Sequence, residues 1–371
     1  MRRIIHIDMD CFFAAVEMRE QPRLRSVALA VGGEAGRRGV VCTCNYAARR
    51  FGVRSAMATA HALKLCPQLV VVPPRHSLYA AVSAQIRAIF ERFTPLVEMV
   101  SLDEAYLDVT DSPHCHGSAT WIAQAIRQAI RDELQLTASA GVAPNKFLAK
   151  VASERNKPDG LCVIPPEQVA TILAELPVRA IPGVGPVMEQ QLLSLGWRTT
   201  ADLQHQPRAL LAERFGRWGE QLHRLACGDD ERPVVVAREA KSVGVETTFA
   251  ADLQRAAEMQ EQTLLLLHQL QRRLQKYASE RVVRGWGLKV KFSDRVQMTI
   301  SAGHQPLSAL VVERLVGQAW ARAAGRGVRL LGLQAMLAEE SGQLCLWRDG
   351  VLFGCDASQT VSATVINSAQ R

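Results

Sequence analysis

The sequence predicts an α+β chain of several domains, and three observations carry that prediction. Strand-like and helix-like periods alternate from the N-terminus to about residue 165. A strand-poor helical stretch follows, from about 167 to 228. Beyond a charged, proline-containing joint, residues 241–338 run in the order β-α-β-β-α-β, the split βαβ arrangement. A chain of 371 residues is also too long for one ordinary core, so about two to four domains are expected.

Residues 3–9 alternate as a strand, with Ile5, Ile7 and Met9 on one face and His6 and Asp8 on the other. CFFAAVEMRE (11–20) reads as a helix, and VALAVGG (27–33) as a strand ending in a glycine turn. GVVCTCNYAARRFGV (39–53) is a short strand running into a helix. Residues 77–93 have helical spacing, and LVEMVSLDEAYLDVT (96–110) reads as two strands folded back at Asp103 and Glu104. An amphipathic helix at 118–133 and a strand at 136–143 complete this part. In the helical stretch, EQVATILAEL, IPGVGPV and MEQQLLSLG read as helix, tight glycine hairpin and helix. DDERPVVVAREAK has no helical stripe, so a linker is expected over about 229–240. The last part predicts strands at 241–249, 282–292, 296–303 and 327–338, with helices at 252–277 and 308–323. The final thirty or so residues show no comparable pattern and read as a flexible tail.

Formal net charge is +8, and its distribution is uneven. Lys241 to Leu337 holds fourteen Lys/Arg against seven Asp/Glu, which places +7 of the +8 there. A basic C-terminal third on a near-neutral body suits a polyanion partner, nucleic acid first. Nine scattered cysteines with no C-x-x-C point to a reducing cytosol rather than a disulfide framework. His114-Cys115-His116 has a metallic look, but adjacent ligands wrap one zinc poorly and no second cluster follows. Asp8 and Asp10 interrupt the N-terminal apolar run at once, so it does not read as a signal peptide, and no stretch is long enough to span a membrane. A soluble, cytoplasmic protein is expected.

The acids in apolar surroundings carry the chemistry. Asp8 at a strand end and Asp103 with Glu104 at a turn converge if their strands are neighbours. Carboxylates in such a place cost free energy unless neutralised, and a divalent metal is the natural neutraliser. Hard oxygen donors without a His or Cys set favour magnesium over zinc. Two such ions are the device for in-line phosphoryl transfer. Read without further information, the same acids also fit ordinary turn and strand-end positions on a solvated edge.

HIDMDCFFAAVE, NYAARRFGVRSAM, SLDEAYLDVT, SAGVAPNKFLAKVAS and NKPDG occur in the order seen in Y-family translesion DNA polymerases, and the chain resembles their bacterial branch over about 340 of its 371 residues. The layout this implies is a palm with mixed β-sheet over 1–10 and 74–166 and small fingers over 11–73. A helical thumb with helix-hairpin-helix over 167–230 follows, then a linker over 231–240. A βαββαβ little finger over 241–340 and a tail over 341–371 complete it. The resemblance puts Asp8, Asp103 and Glu104 on the catalytic, metal-binding acids, with the Met9 carbonyl as a further ligand and two Mg2+ ions as cofactors. It puts Phe13 on the steric gate that excludes a 2′-hydroxyl, leaving Phe12 as a core aromatic. Thr43, Tyr46 and Arg49, the last two on one helical face, and Lys157 are then nucleotide phosphate contacts. IPGVG resembles a helix-hairpin-helix turn, whose glycines Gly183 and Gly185 let backbone N–H groups approach a DNA phosphate. Lys289 and Lys291 share a strand face that could follow a phosphate backbone.

The expected activity is template-directed addition of deoxynucleoside triphosphates to a primer 3′-hydroxyl, by a monomer on primer-template DNA. No segment is left for a proofreading exonuclease, so low fidelity is expected, and damage bypass is what the resemblance implies. A catalytically silent DNA-binding subunit would not need Asp8, Asp103 and Glu104. A nucleotide cyclase on a similar sheet would not need the helical hairpin or the basic last domain. In the tail, Gln343, Leu344, Leu346 and Trp347 resemble the Gln-Leu-x-Leu-Phe peptides by which bacterial polymerases hold a ring-shaped sliding clamp. Trp347 stands where Phe is usual, and the chain runs on to Arg371.

Overall fold

The computed structural model describes residues 1–237, 239–303 and 308–338, and the backbone alone of 345–348 and 351–354. The chain divides into two units, 1–238 and 239–371. The first unit begins with β1 (Ile4–Met9), α1 (Phe12–Glu20), β2 (Leu29–Gly32), β3 (Val41–Cys44), α2 (Tyr46–Arg50), α3 (Thr59–Leu65) and β4 (Val70–Val72). It continues with α4 (His76–Glu91), β5 (Val97–Met99), β6 (Glu104–Asp108), α5 (Ala119–Leu134), β7 (Ala138–Ala143), α6 (Lys146–Arg155) and β8 (Leu161–Val163). Five short helices close it: α7 (Val169–Glu175), α8 (Pro186–Ser194), α9 (Thr200–Gln204), α10 (Arg208–Phe215) and α11 (Arg217–Ala226).

The alternation read in residues 3–9 sets the layers. β1 is the middle strand of the sheet β5-β6-β1-β7-β8 and pairs antiparallel with both β6 and β7. Ile5, Ile7 and Met9 face a core built with Phe12 and Val16 of α1, Val82 and Ile86 of α4, and Ile122 and Ile126 of α5. Ile4 and Tyr106 belong instead to a second core with Phe147, Leu148 and Val151 of α6, continuous with Leu192, Leu211 and Leu222 of the helical part. α6 lies so close to the sheet that a Cβ on Gly141 would meet the Ala149 carbonyl oxygen at 2.0 Å, hence the glycine.

A small three-stranded sheet, β3-β2-β4, encloses its own core of Ala30, Val41, Cys44, Ala48, Ala62 and Cys66. The Asn45 side chain accepts from the Ala48 N–H and starts α2. In the helical part, Gly183 has φ +100, and a Cβ there would come within 2.5 Å of the Trp218 ring. The hairpin after α7 therefore needs glycine on conformational and steric grounds together. Among the described residues, no helix is long and apolar enough to cross a membrane.

The second unit contains β9 (Ser242–Leu253), α12 (Ala256–Tyr277), β10 (Val283–Phe292), β11 (Gln297–Gly303), α13 (Ala309–Ala321) and β12 (Val328–Leu337). The antiparallel sheet β11-β10-β12-β9 buries Leu288, Val290 and Leu333 against Leu266, Leu270, Val312 and Leu315 of the two helices. The β-α-β-β-α-β order is thus present, with one boundary moved. The first strand runs on to Leu253 and the helix starts at Ala256 rather than 252, because the Glu258 carboxylate accepts from the Gln254 and Arg255 N–H groups. Part of the stretch expected as a patternless tail also differs: β13 (Cys345–Arg348) and β14 (Val351–Gly354) pair as a hairpin.

The expected linker shows the largest departure. As far as Val235 it is bonded into the first unit. Asp230, 5% exposed, accepts from the Phe147 N–H at 2.9 Å and pairs with Arg232 at 2.6 Å. The Asn145 amide donates to the Gly228 carbonyl, and the Val235 N–H donates to Glu98 at 2.8 Å. Glu98 also holds Lys146 at 2.5 Å, with only 1% and 5% of the two side chains exposed. A proline-containing, charged sequence looks like a free joint until buried partners are known for its charges. Glu98→Ala would strand the Lys146 ammonium out of water. We expect it to lower unfolding stability by about 3–5 kcal/mol, and Glu98→Leu with Lys146→Met to lose less. Urea unfolding checks this; a single variant as stable as the parent chain contradicts it.

Candidate active site

Register, not sequence proximity, brings the acids together. Asp8 on β1 stands opposite Glu104 on β6, and the Met9 N–H donates to the Asp103 carbonyl at 2.9 Å. The chain reverses before Glu104 because the Ser101 hydroxyl oxygen accepts from the Asp103 and Glu104 N–H groups, both at 3.2 Å, while its O–H donates to the Asp103 carboxylate. Three acidic groups thus lie at one end of the sheet.

Each is matched to a donor. Lys157 holds Asp8 at 2.6 Å and Glu154 at 3.1 Å, and Lys150 of α6 is ion-paired to Glu104. Buried His6 approaches Glu104 at 3.5 Å and shares a 2.8 Å hydrogen bond with the Ser153 hydroxyl. Burial pushes Asp8 up to about 7, against the lowering effect of Lys157. Burial also takes His6 down to about 4, so that ring is neutral. Glu104 is held down to about 2 by the His6 imidazole, then, against burial, by the Lys150 ammonium. His6 Nε2 makes no hydrogen bond of normal geometry, so we regard the ammonium as the firmer partner.

The convergence expected from the sequence is therefore only partly drawn. Among the described residues no three His, Cys, Asp or Glu side chains gather as one ion's ligands. Asp8 and Glu104 face each other, while the Asp103 carboxylate is bonded to Ser101. Carboxylates repel one another, and each here finds an ammonium or a hydroxyl instead. The donor set nevertheless fits a hard divalent cation. It offers carboxylate oxygens, the nearby Cys11 is kept a thiol by burial at about 12, and two ammonium groups already occupy the acid pair as cations.

Phe12 is fully buried, as expected, and Phe13 is partly exposed. The Phe13 ring stacks on Tyr79 with centroids 4.1 Å apart and a 14° tilt, and meets His76 edge-on at 5.9 Å. Behind it, Tyr79 donates to buried Glu17 at 2.5 Å, and Arg75 binds the same carboxylate through two nitrogens. Thr43 lies within β3. The Arg49 guanidinium sits 4.8 Å over the Tyr46 ring. Lys157 is on Asp8, Gly183 is at the strained turn, and Gly185 starts α8 with open space around it. In the second unit Lys289 is paired with Glu246 at 2.9 Å, so it is not a bare cation. Gln343 and Leu344 lie outside the described residues, as do the side chains of Leu346 and Trp347.

Sequence reasoning missed Lys150, His6, Ser101, Tyr79 and Glu17 as neighbours of the site. A signal for the first existed: Lys146, Lys150, Glu154 and Lys157 recur at helical spacing and so share one face.

The first unit thus combines an acidic sheet end, a small lobe carrying Tyr46 and Arg49 and a helical part with a glycine turn, and the second is a βαββαβ unit. Residues 7–154 match the impB/mucB/samB family and 240–346 its C-terminal domain, while 179–230 match the thumb domain described for DNA polymerase-iota. The chain is 54% identical over 344 residues to DNA polymerase IV of Shewanella sp. (strain ANA-3), covering 93% of this chain and 96% of that one. It is 52% identical over 351 residues to DNA polymerase IV of Vibrio vulnificus (strain YJ016), covering 93% and 99%. A Y-family DNA polymerase chimera of Dbh and Dpo4 superposes with TM-score 0.83 at 28% identity, over 90% of this chain and 98% of that one. An insertion ternary complex of Dbh DNA polymerase does so with TM-score 0.64 at 28% identity, over the same shares of 90% and 98%. The chain belongs to the impB/mucB/samB family, the Y-family DNA polymerases. It is a low-fidelity, DNA-directed DNA polymerase of the translesion type with palm, fingers, thumb and little finger, in a family that is metal-dependent.

The support under Phe13 has a pH signature. Burial would raise the Glu17 carboxyl, but Arg75 and Tyr79 hold it below its ordinary value of 4.5. A depressed folded-state value gives stability that is present above the ordinary carboxylate range and is lost as pH falls through it. Glu17→Gln should cost about 1–3 kcal/mol near neutrality, and its deficit should shrink below about pH 4. Unfolding curves across that range check it; a pH-independent deficit contradicts it.

Proposed function

We propose that Asp8, Asp103 and Glu104 are the catalytic acids, binding two magnesium ions together with the Met9 carbonyl. The observation that carries this reading is the Asp8–Glu104 register pair, with Asp103 strapped to β1 and ammonium groups already drawn to the acids. Two magnesium ions at that place would supply an activated primer 3′-hydroxyl and charge neutralisation for the triphosphate. Among the chain's own groups, Lys157 and Lys150 would pass from the carboxylates to the nucleotide's phosphates as these arrive. Thr43, Tyr46, Arg49 and Lys157 would then hold the phosphate oxygens of a deoxynucleoside triphosphate. Phe13, stiffened by its stack on Tyr79, is the steric gate: a rigid ring rejects a 2′-hydroxyl better than a mobile one.

Primer-template DNA is held remotely on this reading. Gly183 and Gly185 present backbone N–H groups at the thumb hairpin, and Lys289 and Lys291 contribute positive charge on β10. Gln343, Leu344, Leu346 and Trp347 tether the enzyme to a sliding clamp, raising its local concentration at primer ends. The enzyme works as a cytoplasmic monomer.

Asp103→Ala or Glu104→Ala should cut nucleotide addition about 100- to 1,000-fold or more, while leaving primer-template affinity nearly intact. Single-turnover incorporation beside a DNA-binding titration measures both, and normal turnover in either variant rules the assignment out. For the gate, Phe13→Ala is expected to lower discrimination against matched ribonucleotides by about tenfold or more; an unchanged ratio would put the gate elsewhere. Truncation after Glu340 should leave synthesis on short oligonucleotides intact and remove stimulation by a loaded clamp. Equal stimulation of the truncated chain would dismiss the tail as the contact.

A further inference from the structure

Asp10 sits two residues from Asp8, and the reaction as read above leaves it without a task. It is 2% exposed, and three donors from three separate parts of the first unit converge on it. The Ser139 hydroxyl of β7 donates to Oδ1 at 2.9 Å, and the Tyr46 hydroxyl of α2 donates to the same oxygen at 3.3 Å. The Asp159 N–H, in the loop that carries Lys157, donates to Oδ2 at 2.8 Å. The outside of that loop is pinned by Arg127 and Arg131 on the Asp159 carboxylate, at 2.9 and 2.6 Å. Asp10 is the inside anchor.

The two segments it joins come from different parts of the first unit. α2 is a five-residue helix in the small lobe, and Lys157 lies on a loop between α6 and β8. Both carry groups that must meet one triphosphate from different sides. Ordering them at the moment of binding would weaken nucleotide affinity, whereas a brace made on folding removes that cost. A buried carboxylate suits the task because its two oxygens accept from all three donors at once. Burial, with Asp10's charge added, pushes the Tyr46 phenol up, so the hydroxyl stays a donor.

The geometry points to Asp10 as a positioning residue for the incoming nucleotide, a hydrogen-bond brace that holds Tyr46, and Arg49 stacked over it, at a set distance from Lys157. The inference rests on the reading of Tyr46, Arg49 and Lys157 as phosphate contacts.

The test is single-nucleotide primer extension by the full chain with magnesium, reading KM for the incoming deoxynucleotide separately from kcat. Asp10→Ala leaves all three donors unpaired and should raise KM about tenfold or more, with kcat changing less. Asp10→Asn should recover most of that loss. Its amide oxygen can take the Asp159 N–H, and its amide nitrogen can donate to the Ser139 and Tyr46 oxygens. An unchanged KM in Asp10→Ala overturns the brace. So does an Asp10→Asn variant as impaired as Asp10→Ala, since that pattern means the charge itself is required. If Asp10→Ala does not fold, Ser139→Ala removes one arm and decides the matter: a KM raised a few-fold supports the brace, and an unchanged one overturns it. Tyr46→Phe separates the two levels. If it leaves KM unmoved, the pocket reading falls and takes the brace with it; if it raises KM while Asp10→Ala does not, only the brace falls.

Discussion

The antiparallel pairing of β1 with β6 and β7 is the constraint on which the rest of the first unit depends. It fixes Asp8 opposite Glu104 and opposite Ser139 in one register. A slip by one residue would turn Ile5, Ile7 and Met9 toward α6 and drive Asp8 into the apolar core beneath α4 and α5. That core therefore specifies the register. The apolar packing of one face is what presents the acids on the other.

The second determinant is charge matching along α6. Lys146 pairs with Glu98, Lys150 with Glu104, and Lys157, just beyond the helix, with Asp8. The three pairs differ in access to water. The first is almost wholly buried and ties Val235 and Pro233 to the palm. The other two are partly open, at the sheet end that carries Asp8 and Glu104. In the low-dielectric setting a buried pair is costly to break, whereas a partly solvated one can exchange partners. One helix thus supplies both a structural lock and exchangeable cations.

The little finger follows a different logic. Its core is ordinary sheet-on-helix packing, with Leu288 and Val290 facing Leu266 and Val312. On the function proposed above it would act through charge spread over a surface rather than through a shaped site. The Lys289–Glu246 pair tempers that charge locally. Such a surface gives salt-dependent, sequence-independent attraction to a polyanion, which suits an enzyme that must accept irregular templates.

Much of this protein was legible in its sequence. The period of residues 3–9 determined the two faces of β1, and the β-α-β-β-α-β order of the last domain followed from simple periodicity. The acids stood out because carboxylates are rare in apolar runs, whereas only the resemblance set Phe13 apart from the core aromatic Phe12. What stayed hidden depended on distance in space. Three-residue strands such as β4 and β8 are too short to show a period, and α3 lies in a stretch without a clear stripe. The linker looked free because its partners, Glu98 and Phe147, are more than eighty residues away in the chain. The lysines on the acids, the Tyr79 and Glu17 support under Phe13, and the three donors on Asp10 are likewise contacts between distant segments. Local sequence decides which residues form a strand, a turn or a helix, because those preferences act over a few bonds. Which carboxylate meets which ammonium is decided only when the register of β1 and the packing of α6 bring them to the same place.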